Sequence, residues 1–62
     1  MKYRIKELRE KKGYSQTRLA ELSGVSRATI IALENNEKHE AMVGTLKSLA
    51  DVLGVPVRKL FC

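Results

Sequence analysis

Residues 15–36 read SQTRLAELSGVSRATIIALENN, and the rest of the chain is interpreted outward from them. Ser15 can accept a hydrogen bond from a free backbone N–H, with Gln16 and Thr17 following in a first helical turn and Leu19 and Ala20 turned inward. Gly24 closes that helix, because glycine takes the left-handed conformation without a Cβ penalty. Ser26 can cap again, and RATIIALENN carries apolar residues at helical spacing. The stretch therefore predicts two short helices joined by about three or four residues. Tyr14 before the first cap and Val25 before the second are placed to meet Leu19 and Ile30. Neither cap completes a capping box, since Arg18 and Thr29 stand where Glu or Gln would be needed.

At 62 residues the chain is long enough for one domain, and residues 1–62 are read as a single unit without a separate effector-sensing domain. No alternating β-branched run or Asn-Gly turn is present, so the expected fold class is all-α, a compact five-helix bundle. Residues 3–12 form the expected first helix, with Ile5 and Leu8 inward and Gly13 as its stop. The fourth is expected to present Val43, Leu46, Leu49, Ala50 and Leu53 as one apolar face and to end at Gly54. Thr45 is the only nearby residue that caps well, and Gly44 disfavours a helix interior. Pro56 suits the first turn of a fifth helix over VPVRKLF. Its Val57, Leu60 and Phe61 either seal the core or remain exposed as the contact of a homodimer.

Twelve Lys and Arg against seven Asp and Glu give a formal net charge of +5. A polyanionic partner fits this charge, as does plain solubility. The N-terminal segment concentrates it: Lys2, Arg4, Lys6, Arg9, Lys11 and Lys12 stand against Glu7 and Glu10. That helix can lie along a phosphate backbone or simply face water. Cys62 is the only cysteine, which excludes an intramolecular disulfide and a cysteine-cluster metal site. There is no apolar run of the roughly 18 residues a membrane span requires. A cytoplasmic protein is expected, with no membrane partner.

No catalytic constellation is visible, so the chain is not expected to be an enzyme and no cofactor or metal is implied. His39 is the single histidine and sits in a polar loop without ligand-spaced neighbours. Cys62 has no companion base, and the four glycines are dispersed rather than gathered into a phosphate loop. In the second helix of the central stretch, at about 100° per residue, Ile30 and Leu33 fall on one side. The opposite side holds Ala28, Ile31, Ala32 and Asn35, with Arg27 at its N-terminal edge. Small residues let a helix sit deep in the major groove, Ala or Ile can touch a thymine methyl, and Arg can fork onto guanine O6 and N7. The competing explanation is that the alanines are helix formers, Ile31 packs on a neighbour and Arg27 is solvated.

The segments IKELREKKGYSQTRLAELSGVSRATIIALENN and LADVLGVPVRKLF closely resemble the Cro/C1-type (Xre-like) helix-turn-helix domain of phage repressors and small bacterial regulators. Ser15-Gln16, Leu19-Ala20, Gly24-Val25-Ser26, Ile30 and Glu34-Asn35 carry the most specific part of the likeness. The resemblance implies a lambda-repressor-like domain whose third helix, here about Arg27 to Asn35, enters the major groove of double-stranded DNA. Residues matching Arg27, Ala28 and Ala32 would face bases, where the helical spacing also puts Ile31, and those matching Gln16, Thr29 and Asn35 would meet the backbone, with Thr17 and Lys38 expected there as well. It also implies a structural ion pair between Arg9 and Glu34, which would make Arg9 a scaffold residue rather than a DNA contact. The expected function is that of a transcriptional regulator, a repressor occupying a near-palindromic operator as a homodimer, with no small-molecule effector. The alternative is a protein-interaction module, such as an antitoxin or repressor-partner protein, using the same fold. Two departures stand out: Asn36 replaces the usual glycine after Glu-Asn, and Ala41-Met42 replaces the usual Pro-Ser before the fourth helix. Ala28 and Ala32 also replace residues that are often polar, so the target sequence does not follow by analogy.

Overall fold

The structure, a computed structural model, describes residues 3–35 and 41–61. Four α-helices follow one another along the chain: α1 (Ile5–Lys11), α2 (Gln16–Ser23), α3 (Arg27–Glu34) and α4 (Val43–Leu53). The fifth expected helix is instead a single 3₁₀ turn, Val57–Leu60. Pro56 is extended (φ −69, ψ 155) and stands outside the turn rather than inside it. Phe61 is extended again (φ −101, ψ 148) because it pairs antiparallel with Tyr3, so too few residues remain for an α-helix.

The same pairing shortens the first helix. Tyr3 forms the bridge to Phe61, their rings lie 5.4 Å apart between centroids, and the Arg4 N–H donates to the Leu60 carbonyl at 2.7 Å. Helical geometry therefore begins only at Ile5, two residues later than the periodicity predicts. At the other end Gly13 has φ 75, the left-handed value that lets Tyr14 N–H reach back to the Arg9 carbonyl at 3.1 Å and Gly13 N–H to Glu10 at 3.0 Å. Tyr14 is thereby folded back over the last turn of α1.

Each element contributes to one core, made of Ile5, Leu19, Ile30, Leu33, Leu46, Leu49, Ala50, Leu53 and Leu60. Helix α2 packs on α3 and α4, α1 packs on the same two, and the 3₁₀ turn closes against α4. Leu60 is fully buried, which resolves the two sequence alternatives for this residue in favour of core closure and removes it from the set available to a dimer contact. Val57 and Phe61 are half-buried against the same cluster.

Helix α4 departs from expectation at its start. It begins at Val43 behind Met42, which offers no side-chain cap, and so Gly44 lies inside the helix rather than before it. Val43 is 79% exposed and does not belong to the apolar face assigned to it. Burial of Leu46, Leu49, Ala50 and Leu53 holds the helix against a glycine that disfavours it by about 1 kcal/mol. Among the described residues no helix is long and apolar enough to cross a membrane.

Candidate nucleic-acid interface

Two serine caps fix where α2 and α3 begin. The Ser15 hydroxyl oxygen accepts the Arg18 N–H at 2.9 Å, and that of Ser26 accepts the Thr29 N–H at 3.2 Å. Gly24 (φ 73) ends α2 with its N–H on the Ala20 carbonyl, and only Gly24, Val25 and Ser26 separate the helices. Val25 packs against the core, so α3 leaves the turn at a fixed angle to α2.

Burial separates the two sides of α3. Ile30 and Leu33 are fully buried, whereas Arg27, Ala28 and Asn35 are exposed and Ile31 and Ala32 are half-buried. The outward side is thus small and largely apolar, with one cation at its N-terminal edge. Arg27 makes no ion pair among the described residues, unlike Arg18, which sits 3.5 Å from Glu21, or Arg4, 3.0 Å from Glu7. Asn35 ends α3 in a right-handed conformation (φ −82, ψ 3), not the left-handed one its residue type allows. Lys38, His39, Asn36 and Cys62, all singled out in the sequence, lie outside the described residues.

Among the residues expected at the DNA backbone, Thr17 is exposed at the start of α2. Thr29 is half-buried, and its Oγ1 accepts the Ser26 hydroxyl at 2.8 Å, leaving its own proton to give. Gln16 is already engaged: its Nε2 donates to Glu34 Oε1 at 3.0 Å. This bond joins residues 18 apart in the chain, and no periodicity or spacing in the sequence signals it.

Glu34 is the centre of a polar cluster among three helices. Arg9 Nε donates to Glu34 Oε2 at 2.7 Å and Arg9 Nη2 to Oε1 at 3.1 Å, a forked pair whose side chains are only 11% and 2% exposed. Arg9 Nη1 donates to the Tyr14 carbonyl at 2.8 Å, which the Gly13 turn has brought into reach. The Glu34 hydrogen bonds raise the Arg9 guanidinium above its ordinary range against the opposing cost of burial. Arg9 is therefore a neutralised scaffold cation, and the basic character of α1 toward solvent rests on Lys6 and Lys11.

A family profile described as helix-turn-helix matches residues 5–60. The transcriptional regulator SutR of Escherichia coli strain K12 is 44% identical over 52 residues, which are 84% of this chain and 29% of that protein. The transcriptional regulator SinR of Bacillus subtilis strain 168 is 37% identical over 57 residues, 92% of this chain and 51% of that protein. A crystal structure of SinR, the master regulator for biofilm formation, in complex with DNA superposes with a TM-score of 0.84 at 36% identity, covering 89% of this chain and 87% of that one. The restriction-modification controller protein C.AhdI from Aeromonas hydrophila has the same TM-score and identity over 94% of this chain and 86% of its own. The chain thus spans about half or less of the length of the SinR and SutR proteins. The matched profile, the two capped helices and the shared fold have one meaning: this chain belongs to the Cro/C1-type helix-turn-helix family of DNA-binding transcriptional regulators.

Proposed function

We propose that this chain binds double-stranded DNA by sequence and regulates transcription by occupying an operator, acting as a repressor in the cytoplasm. Helix α3 enters the major groove with Arg27 forked onto guanine and Ala28, Ile31 and Ala32 against thymine methyls. Gln16, Thr17, Thr29, Asn35 and Lys38 hold the backbone and set the register. Residues 1–62 act as one domain, and two copies bind a near-palindromic site with half-sites about one helical turn apart. With Leu60 sealed in the core, a dimer contact at this end uses Val57 and Phe61.

The observation that carries the reading is the small outward face of α3, with Ala28 exposed and Ile31 and Ala32 half-buried, headed by an Arg27 that no described acid neutralises. An outward helix side of this composition gains from burial in a groove lined by methyls and acceptors. SinR in complex with DNA supports the same use of the fold. The test is titration into random and genomic DNA at several salt concentrations, followed by selection of bound sequences from a random pool. Affinity is expected to fall linearly on a logarithmic salt scale, by about 0.9 per phosphate neutralised. A symmetric selected site supports two-fold binding. Absence of DNA binding at low salt overturns the reading, and a salt-insensitive protein complex in its place establishes the protein-interaction alternative.

A further inference from the structure

We propose that Glu34 is a positioning residue for DNA binding: by taking one N–H of the Gln16 carboxamide, it fixes that amide so that the other N–H is offered to a backbone phosphate. The inference rests on the DNA-binding reading above and names a residue that does not itself touch DNA.

Gln16 is the first residue of α2, directly behind the Ser15 cap. The cap uses the Arg18 N–H, so the backbone N–H groups of Gln16 and Thr17 remain without a partner among the described residues. They lie at the positive end of the helix, where an anion is favoured. The Gln16 side chain is half-buried and reaches this end, but a carboxamide can be oriented in two ways. One orientation offers N–H groups, and the other offers an acceptor oxygen that a phosphate repels.

Glu34 decides between them. A carboxylate only accepts, so it admits Gln16 Nε2 at 3.0 Å and rejects the amide oxygen. The carboxylate cannot turn aside, because Arg9 holds both of its oxygens, at 2.7 and 3.1 Å, and it is almost fully sealed from water. Constraint therefore passes from Arg9 on α1 to Glu34 at the end of α3 and on to Gln16 at the start of α2. The second Nε2 proton is left over, and it is the one available to a phosphate.

The test is a double-mutant cycle of Gln16→Ala and Glu34→Gln in the full chain, with binding to a double-stranded oligonucleotide at low salt and thermal unfolding recorded for every variant. Gln16→Ala is expected to weaken binding about tenfold in the parent, the scale of a hydrogen bond to a charged group, and less than about twofold once Glu34 is Gln. An equal penalty in both backgrounds overturns the positioning role while leaving DNA binding intact. Failure of the parent itself to bind overturns the DNA-binding reading and this inference with it. Should Glu34→Gln not fold, the Gln16 side-chain amide signals of the parent decide. Two resolved protons are expected, one slow to exchange with water and the other moving when the oligonucleotide is added. A pair that exchanges at the free-glutamine rate and ignores DNA overturns the proposal.

Discussion

Replacing Arg9 by Met removes three hydrogen bonds at once, two to Glu34 and one to the Tyr14 carbonyl. The larger loss is electrostatic. The Glu34 carboxylate is 2% exposed, so without Arg9 it becomes a buried charge whose only remaining side-chain partner among the described residues is the Gln16 amide. Breaking a buried pair from one side costs about 3–5 kcal/mol. A domain of this size holds about 3–9 kcal/mol in total, at the usual 0.05–0.15 kcal/mol per residue. Arg9→Met is therefore expected to remove most of the folding stability, read as loss of the helical circular-dichroism signal at ambient temperature or a fall in Tm of more than about 12 °C. The double variant Arg9→Met with Glu34→Leu discriminates charge from packing. It removes the stranded carboxylate, so it is expected to recover about 1–3 kcal/mol of the loss, remaining short of the parent by about 1 kcal/mol each for the Tyr14 carbonyl and the Gln16 amide. Urea unfolding of the three proteins measures this. An Arg9→Met variant that unfolds cooperatively within about 1 kcal/mol of the parent would refute the reasoning, because the pair would then carry little of what burial implies.

Three further outcomes are expected. Gly24→Ala meets no atom within 4 Å, so its cost is that of the left-handed backbone (φ 73) alone, about 1–2 kcal/mol in urea unfolding, with Asn at this position losing less. Arg27→Ala is expected to relax preference at one base position by about 1–3 kcal/mol in competition binding while leaving binding to random DNA nearly unchanged; equal losses on both remove it from the reading face. The Arg4 hydrogen bond, and then its charge, hold the Glu7 carboxyl below the ordinary glutamate range. Because the folded value is the lower one, the stability it adds is present above the unfolded value of about 4.3 and fades as pH falls through the folded value. An NMR titration of Glu7 checks this, and Arg4→Ala is expected to return it toward the ordinary value.

The central helices were legible in residues 15–36 because the signals are local. Ser15 and Ser26 reach backbone groups three residues on, Gly24 relieves a strain within one residue, and Leu19, Ile30 and Leu33 repeat at the period of a helix. The exposed Arg27 and Ala28 follow from the same period. The Arg9 and Glu34 pairing entered through the resemblance, and its forked geometry, with the Tyr14 carbonyl completing it, belongs to the folded chain.

The sequence by itself determined the class of fold, the order of the four helices and the outward side of α3, since each rests on interactions within about one helical turn. Only the tertiary structure decided the ends. The pairing of Tyr3 with Phe61 shortens α1, turns the expected last helix into a 3₁₀ turn and seals Leu60 inside. Burial of four apolar residues likewise lets α4 start through Gly44 without a side-chain cap. The bond from Gln16 to Glu34 is of the same kind, since it joins helices whose approach is set by the packed core. Local propensities are fractions of a kcal/mol to about 1 kcal/mol per residue, and burial of a large side chain contributes about 1.5–3 kcal/mol, so packing prevails wherever the two compete.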